Sequence, residues 1–243
     1  MDNQIERLRE ERFIDLLIDY DVLQFSPRGY ILRNGRSSPY MINMGKFTDG
    51  ISQECLGVMY ANKIIEQRII PDLLFGPSYK GIPLAITTAL GLLKESYNVR
   101  YAFDRKEVKA HGEGTHDEIQ SRCIIGSRIN DGDRILLLDD VITTGGAKYD
   151  ALTLLGACAS NLQYLGLIIA VDREEVGDGP LSSAEEFTQK TKIPVHSVTT
   201  VSKIVKDQKD KGRINKGNLD KMIDHLRQYG TPSVISRLEN ILK

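Results

Sequence analysis

The stretch Arg134 to Ala147, RILLLDDVITTGGA, restricts the fold more than any other part of the chain. Ile135 to Leu138 is an unbroken apolar run, the pattern of a strand buried on both faces of a parallel sheet. Asp139 and Asp140 follow at once. Thr143, Thr144, Gly145 and Gly146 then stand just ahead of an apolar-periodic segment marked by Tyr149, Leu152 and Leu155. The order read is strand, acidic end, tight loop, helix N-terminus. A glycine-containing loop that opens a helix offers unpaired N–H groups and the positive end of the helix dipole, so a phosphate is the expected guest. Successive strand side chains point to opposite faces. Asp139 and Asp140 are therefore expected to differ in role, one meeting a ligand's hydroxyls and the other propping the loop.

The surrounding pattern supplies the sheet. Periodicity predicts helix 51–68, strand Leu73–Phe75, helix 82–95, strand Tyr101–Phe103, a long polar loop, the central strand, helix 147–159, strand Leu165–Val171, helix 181–190 and strand Val195–Val198. Alternation of this kind implies an α/β fold with an open, mostly parallel sheet flanked by helices. Ahead of it, an amphipathic helix over 2–20 and two short extended pieces, Tyr30–Leu32 and Tyr40–Asn43, read as a small N-terminal lobe spanning 1–50. The core is expected over 51–202. Beyond it, in 203–243, the lysine-rich segment 203–218 reads as a polar connector, followed by amphipathic helices over Leu219–Tyr229 and Val234–Leu242 packed on the core.

Ligands of open α/β sheets sit outside the carboxyl ends of the strands. That rule gathers three further loops around Asp139 to Gly146. They are Gly76 to Gly81, which encloses Tyr79 and Lys80; Asp104 to Gly114, which carries Arg105, Lys106, Lys109 and His111 with Gly112 and Gly114 as flexible points; and Asp172-Arg173.

Composition excludes several classes. With 243 residues, 41% of them apolar, the chain is long enough for one proper core plus a small lobe. A net charge of −1 argues against nucleic-acid binding. Cys55, Cys123 and Cys158 lack any C-x-x-C spacing, so free thiols are expected rather than a disulfide frame or a zinc knuckle. The N-terminal MDNQIERLREERF has no apolar signal core, and no run approaches a membrane span. No membrane association and a cytoplasmic location are the expectation.

Three readings compete for the central stretch. An apolar strand ending in Asp-Asp also suits a nucleotide triphosphatase, but the only Gly-Lys, Gly45-Lys46, is followed by Phe47 rather than Ser or Thr, so the phosphate loop of that class is missing. A plain buried strand with incidental acids is the second. The third is a sugar-phosphate site, and here the stretch resembles the phosphoribosyl pyrophosphate (PRPP) signature of type I phosphoribosyltransferases. PRPP carries a 5-phosphate and a 1-pyrophosphate on one ribose. Its site needs two anion cradles, read as Thr143–Gly146 and Tyr79–Gly81, with Asp139 and Asp140 between them.

The pieces GRSSPY (35–40), LLFGPSYKGIP (73–83), RKEVKAHGEG (105–114), LLLDDVITTGGA (136–147) and VDREE (171–175), in that order, resemble the orotate phosphoribosyltransferase family over about residues 30–200. The resemblance implies transfer of phosphoribose from PRPP to orotate, giving orotidine 5′-monophosphate and pyrophosphate, with Mg²⁺ as cofactor held mainly by PRPP and water near Asp139 and Asp140. It implies Tyr79, Lys80, Arg105, Lys106, Lys109, His111, Asp139, Asp140, Val141, Ile142, Thr143, Thr144, Gly145, Gly146 and Ala147 for PRPP. Lys109, His111, Asp139 and Asp140 would be catalytic, and Arg33, Met41, Ile42, Thr143 and Arg173 would border orotate. It also implies a homodimer whose lid loop, 105–122, serves the neighbouring site. The chain departs from the family pattern in three places. Arg33 stands where a lysine is usual, Met41-Ile42 replaces an aromatic pair, and Thr115 to Arg122 lengthens the segment after the GEG, which implies a longer lid. A purine phosphoribosyltransferase and a non-catalytic PRPP sensor are the alternatives; the second has no use for Lys109 and His111 on a glycine-flanked loop.

Overall fold

The computed structural model describes residues 2–32, 34–106, 115–142, 145–177 and 179–242. Helix α1 (Asp2–Asp19) leads into an antiparallel pair, β1 (Leu23–Ile31) and β2 (Ser37–Ile42), which forms a sheet of its own. The pairing slips register between Phe25 and Tyr30, where Pro27 has no N–H to give to the ladder. The chain then alternates: α2 (Gly50–Glu66), β3 (Leu73–Phe75), α3 (Gly81–Lys94), β4 (Arg100–Asp104), α4 (His116–Cys123), β5 (Ile124–Gly126), β6 (Arg134–Asp139), α5 (Gly146–Cys158), β7 (Gln163–Asp172), α6 (Ser183–Thr191) and β8 (Val195–Thr200). The main sheet has the order β5-β4-β3-β6-β7-β8. All its pairs are parallel except β4 with β5.

The central position of β6 follows from its side chains. Ile135, Leu136, Leu137 and Leu138 are all fully buried. Leu136 and Leu138 join one core with Tyr60, Leu84 and Ile168, under α1, α2 and α3. Ile135 and Leu137 join the other with Phe75, Leu155 and Phe187, under α5 and α6. A charge at any of these positions would have no solvated face to turn to. Strand order also locates the site. From β3 the chain winds outward to β4 and β5, then returns to the other side of β3 as β6 and winds outward again, so the topological switch lies between β3 and β6. The crevice at their carboxyl ends is where such sheets bind ligands.

Two expectations are corrected. Thr115 to Arg122, expected to extend the polar loop, does not: His116–Cys123 is helix α4, started by a capping box in which Thr115 and Glu118 satisfy each other's backbone. The buried Gln120 anchors it, donating to the carbonyls of Ile129 and Cys158 at 3.0 Å each and accepting the Ile129 N–H at 2.9 Å. A short helix held by a cap and one amide shows little apolar periodicity. Second, the segment read as a connector is largely helical, as α7 (Val201–Lys211), followed by α8 (Lys216–Tyr229) and α9 (Pro232–Leu242). Val201, Ile204, Val205 and Gln208 form a narrow buried stripe, while Lys203 and Lys211 reach outward to Glu10 and Asp15 on α1 at 2.8 and 2.9 Å.

Among the described residues no helix is long and apolar enough to cross a membrane. The three cysteines are free, and burial pushes the Cys158 thiol up to about 12, so it stays protonated and unreactive.

Candidate active site

A cleft of about 600 Å³ opens at the carboxyl ends of β3 and β6. Ser78 to Lys80 form one wall, Asp139 to Val141 and Gly145 to Lys148 the floor, and Arg173 the far end. Ile31, Leu32, Met41, Ile42 and Asn43 of the small lobe close over it, with Lys106 at the edge. The structure thus brings together Tyr79, Lys80, Lys106, Asp139, Asp140, Val141, Gly145, Gly146, Ala147, Met41, Ile42 and Arg173. Arg33, Lys109, His111, Thr143 and Thr144 lie outside the described residues. Two others stand apart from the cleft. Ile142 is 3% exposed with its side chain in the core beneath α5, and Arg105 is exposed, its backbone N–H bonded to Cys123 O at 2.8 Å.

The β3 loop is drawn tight by its glycines. A Cβ on Gly76 would fall 2.0 Å from the Gly81 carbonyl oxygen, and one on Gly81 would fall 2.5 Å from Gly76 and 2.8 Å from Leu138 O. Only glycine lets this loop close against β6. Ser78 fixes the turn by donating its N–H to Asp104 Oδ1 at 2.5 Å and its hydroxyl to Asp104 O. Tyr79 is left 66% exposed.

Capping chemistry separates this end of the molecule from the rest. Helices α2, α4, α6, α7 and α8 are each capped by a side chain, from Asp49, Thr115, Ser182, Thr200 and Asn215. The two that begin at the cleft, α3 after Lys80 and α5 after Gly145, have no side-chain cap. Orphan N–H groups at a helix start need an acceptor, and the positive end of the dipole favours an anionic one. Gly145 takes φ +74°, the left-handed region, to turn the chain into α5.

Between these two helix starts lie the paired carboxylates, and their roles differ. Asp139 is 4% exposed and both its oxygens are committed: Oδ2 to Lys148 Nζ at 2.6 Å and Oδ1 to the Asp140 N–H at 2.9 Å. Tyr60 donates its hydroxyl to the Asp139 carbonyl at 2.8 Å. Lys148 Nζ also bonds Val141 O at 2.7 Å, tying the loop to the strand end. Asp139 is thus the prop. Asp140 accepts the Val141 N–H on one oxygen at 2.7 Å, and its second oxygen has no hydrogen-bond partner among the described residues. Burial, and then the negative charge of Asp139, raise the Asp140 carboxyl above its usual range. A carboxylate stripped of water in this way gains from any hydroxyl or cation brought to it.

Lys148 was not anticipated. A signal existed: a cation in the first turn of an apolar helix opposes the dipole and calls for an anion beside it. Arg173, after β7, is buried; its Nη2 donates to Ser38 Oγ at 2.9 Å and Glu175 Oε1 at 2.7 Å.

Comparison with known proteins agrees with this geometry. Residues 57–177 match the phosphoribosyl transferase domain family. The orotate phosphoribosyltransferase of Nitrosococcus oceani is 37% identical over 228 residues, covering 93% of this chain and 98% of its own. That of Saccharophagus degradans is 35% identical, covering 91% and 97%. The crystal structure of the Francisella tularensis orotate phosphoribosyltransferase superposes with a TM-score of 0.74 at 32% identity, covering 90% of this chain and all of that one. Likeness on this scale takes in the small lobe and the C-terminal helices as well as the sheet, and the chain belongs to the orotate phosphoribosyltransferase family.

Proposed function

We propose that the chain transfers the 5-phosphoribosyl group of PRPP to orotate, forming orotidine 5′-monophosphate and pyrophosphate, a step of pyrimidine biosynthesis. The observation that carries this reading is the pair of uncapped helix starts, α3 and α5, opening on one cleft with Asp140 between them. The α5 loop takes the 5-phosphate and the Tyr79–Gly81 turn the pyrophosphate. Asp140 takes the ribose hydroxyls, while Asp139 holds the floor through Lys148.

In the reaction a ring nitrogen of the acceptor bonds to the anomeric carbon as its bond to pyrophosphate oxygen breaks. Positive charge grows on the ribose and negative charge on the leaving group. Preorganised donors aimed at that negative charge lower the barrier most, and Lys80 and Lys106 are placed at the cleft to supply them. Lys109 and His111 complete the set from the lid. The small lobe above excludes water from the electron-poor carbon.

The cleft, where Asp140 uses one oxygen on the Val141 N–H, fits magnesium that arrives on its substrate, since that ion keeps its waters and binds through phosphates with one or two carboxylates. Of the two carboxylates that line the cleft, Asp140 has an oxygen to offer. Asp140 would hold such an ion there, and the ion would supply charge neutralisation for the departing pyrophosphate. Assembly as a homodimer is supported by the apolar face of α2 and α3, where Ile51, Leu90 and Leu93 are 70%, 57% and 52% exposed. The lid, over 105–114 rather than 105–122, would then reach the partner's site.

Purified protein given PRPP and Mg²⁺ should release pyrophosphate with orotate but not with uracil, adenine or hypoxanthine, and chelation of the metal should stop it. Turnover of a purine base with none of orotate overturns the acceptor assignment.

Gly145→Val should abolish PRPP binding in calorimetry while the protein still melts cooperatively. A Cβ there would lie 3.0 Å from Tyr149 Cε2 on backbone at φ +74°, a strain of about 1 to 3 kcal/mol, less than a typical domain's stability of roughly 5 to 15 kcal/mol. Unchanged PRPP affinity would remove this loop from the site.

A further inference from the structure

The far end of the cleft is held from behind by the C-terminal helices. Arg173 pairs with Glu175 at 2.7 Å, and alone that pair would cancel the charge an anionic acceptor needs. Glu175, however, is shared. Its Oε1 also accepts the Tyr40 hydroxyl at 3.0 Å, and its Oε2 lies 3.3 Å from Arg36 Nη1. On α8, His225 is 5% exposed and brings Nε2 to 3.1 Å from the same Oε1. Burial pushes the Glu175 carboxyl up, yet His225 and Arg173 outweigh it and hold the group at about 2.

The same helices fix the backbone beside Arg173. Glu174 sits at φ +59°, a strained conformation that persists only where its surroundings enforce it. Its carboxylate accepts Ser202 N–H at 2.7 Å and Arg237 Nη1 at 2.9 Å, and its carbonyl accepts Thr231 N–H at 3.2 Å.

We infer that His225 is a positioning residue and that α8 is the rear wall of the acceptor site: by drawing on Glu175, His225 leaves Arg173 with uncancelled positive charge for a carboxylate-bearing acceptor. The inference rests on the reading of Arg173 as the group that meets that carboxylate. Two guanidinium groups face one shared glutamate here, so the cluster in contact with Glu175 is net positive. Arg173 Nε is buried with no partner among the described residues, a donor of the kind that a ligand satisfies.

Steady-state kinetics with orotate and PRPP varied in turn test this, alongside thermal melts. Arg173→Ala should raise the orotate KM about tenfold or more, with the PRPP KM little changed. His225→Leu should raise the orotate KM about three- to tenfold at nearly constant PRPP KM and kcat, and His225→Gln, which keeps a polar donor, should recover most of the loss. In a Glu175→Gln background His225→Leu should add nothing, because the two act through one contact. If His225→Leu does not fold, His225→Asn, polar but too short to reach Glu175, replaces it in the same cycle. An unchanged orotate KM in the His225 variants, or an undiminished effect in the Glu175→Gln background, overturns the inference while Arg173→Ala still behaves as expected. An unchanged orotate KM in Arg173→Ala overturns the underlying reading, and the inference with it.

Discussion

Lys109→Ala and Asp140→Asn should each fall to about a hundredth of the parent turnover or less, the scale set by losing one preorganised group at developing charge, and mixing them should restore activity. The two lesions differ in kind: Lys109 belongs to the loop proposed as a lid, outside the described residues, whereas Asp140 is on the floor of the cleft. If the lid of one subunit closes over the site of the other across a two-fold interface, a mixed dimer places both lesions in one site and neither in the other. Equal and random mixing makes half the dimers mixed, each with one intact site, so about a quarter of full activity should return. Recovery should follow the time course of subunit exchange. No recovery under proven exchange would mean that each lid serves its own subunit, or that the protein is not a dimer.

Lys148→Met should cost about 3 to 5 kcal/mol of stability in chemical denaturation, the usual penalty for stripping a buried charge of its partner. Asp139 and Lys148 are 6% and 7% exposed at the side chain, so water cannot replace the lost ammonium. PRPP affinity should fall as well, because the Val141 carbonyl loses its anchor on α5. Asp139→Asn in the same chain should return much of the stability, since a neutral amide has far less to lose by burial. A loss under about 1 kcal/mol for Lys148→Met would place this pair with surface ion pairs and remove Asp139 as the prop of the floor.

The likeness to orotate phosphoribosyltransferases bears on activity, and the structure adds a division of labour that activity alone would not reveal. A carboxylate pair that looks symmetrical along the chain is asymmetric in space. Substitutions at Asp139 should therefore be read first through stability, and those at Asp140 through catalysis.

How far the chain could be read from residues alone follows from the range of the forces involved. Ile135 to Leu138 could be assigned as a doubly buried strand, and Gly145-Gly146 as the start of a helix, because periodicity and backbone freedom are local properties. Placing the loops after β3, β6 and β7 together needed only the rule that ligands gather at strand carboxyl ends. Helices α4 and α7 escaped because a cap, a buried glutamine and a narrow stripe hold them, and these leave little periodic trace. The contacts behind Arg173 escaped for a different reason. Tyr40 and Glu175 are 135 residues apart, and His225 reaches the same carboxylate from a third region of the chain, so no local pattern marks them as partners. The strand and the glycine loop that opens a helix were determined by neighbours in sequence; which carboxylate is a prop, which is open, and which groups share Glu175 with Arg173 were decided only when packing brought distant ionisable groups into water-poor contact.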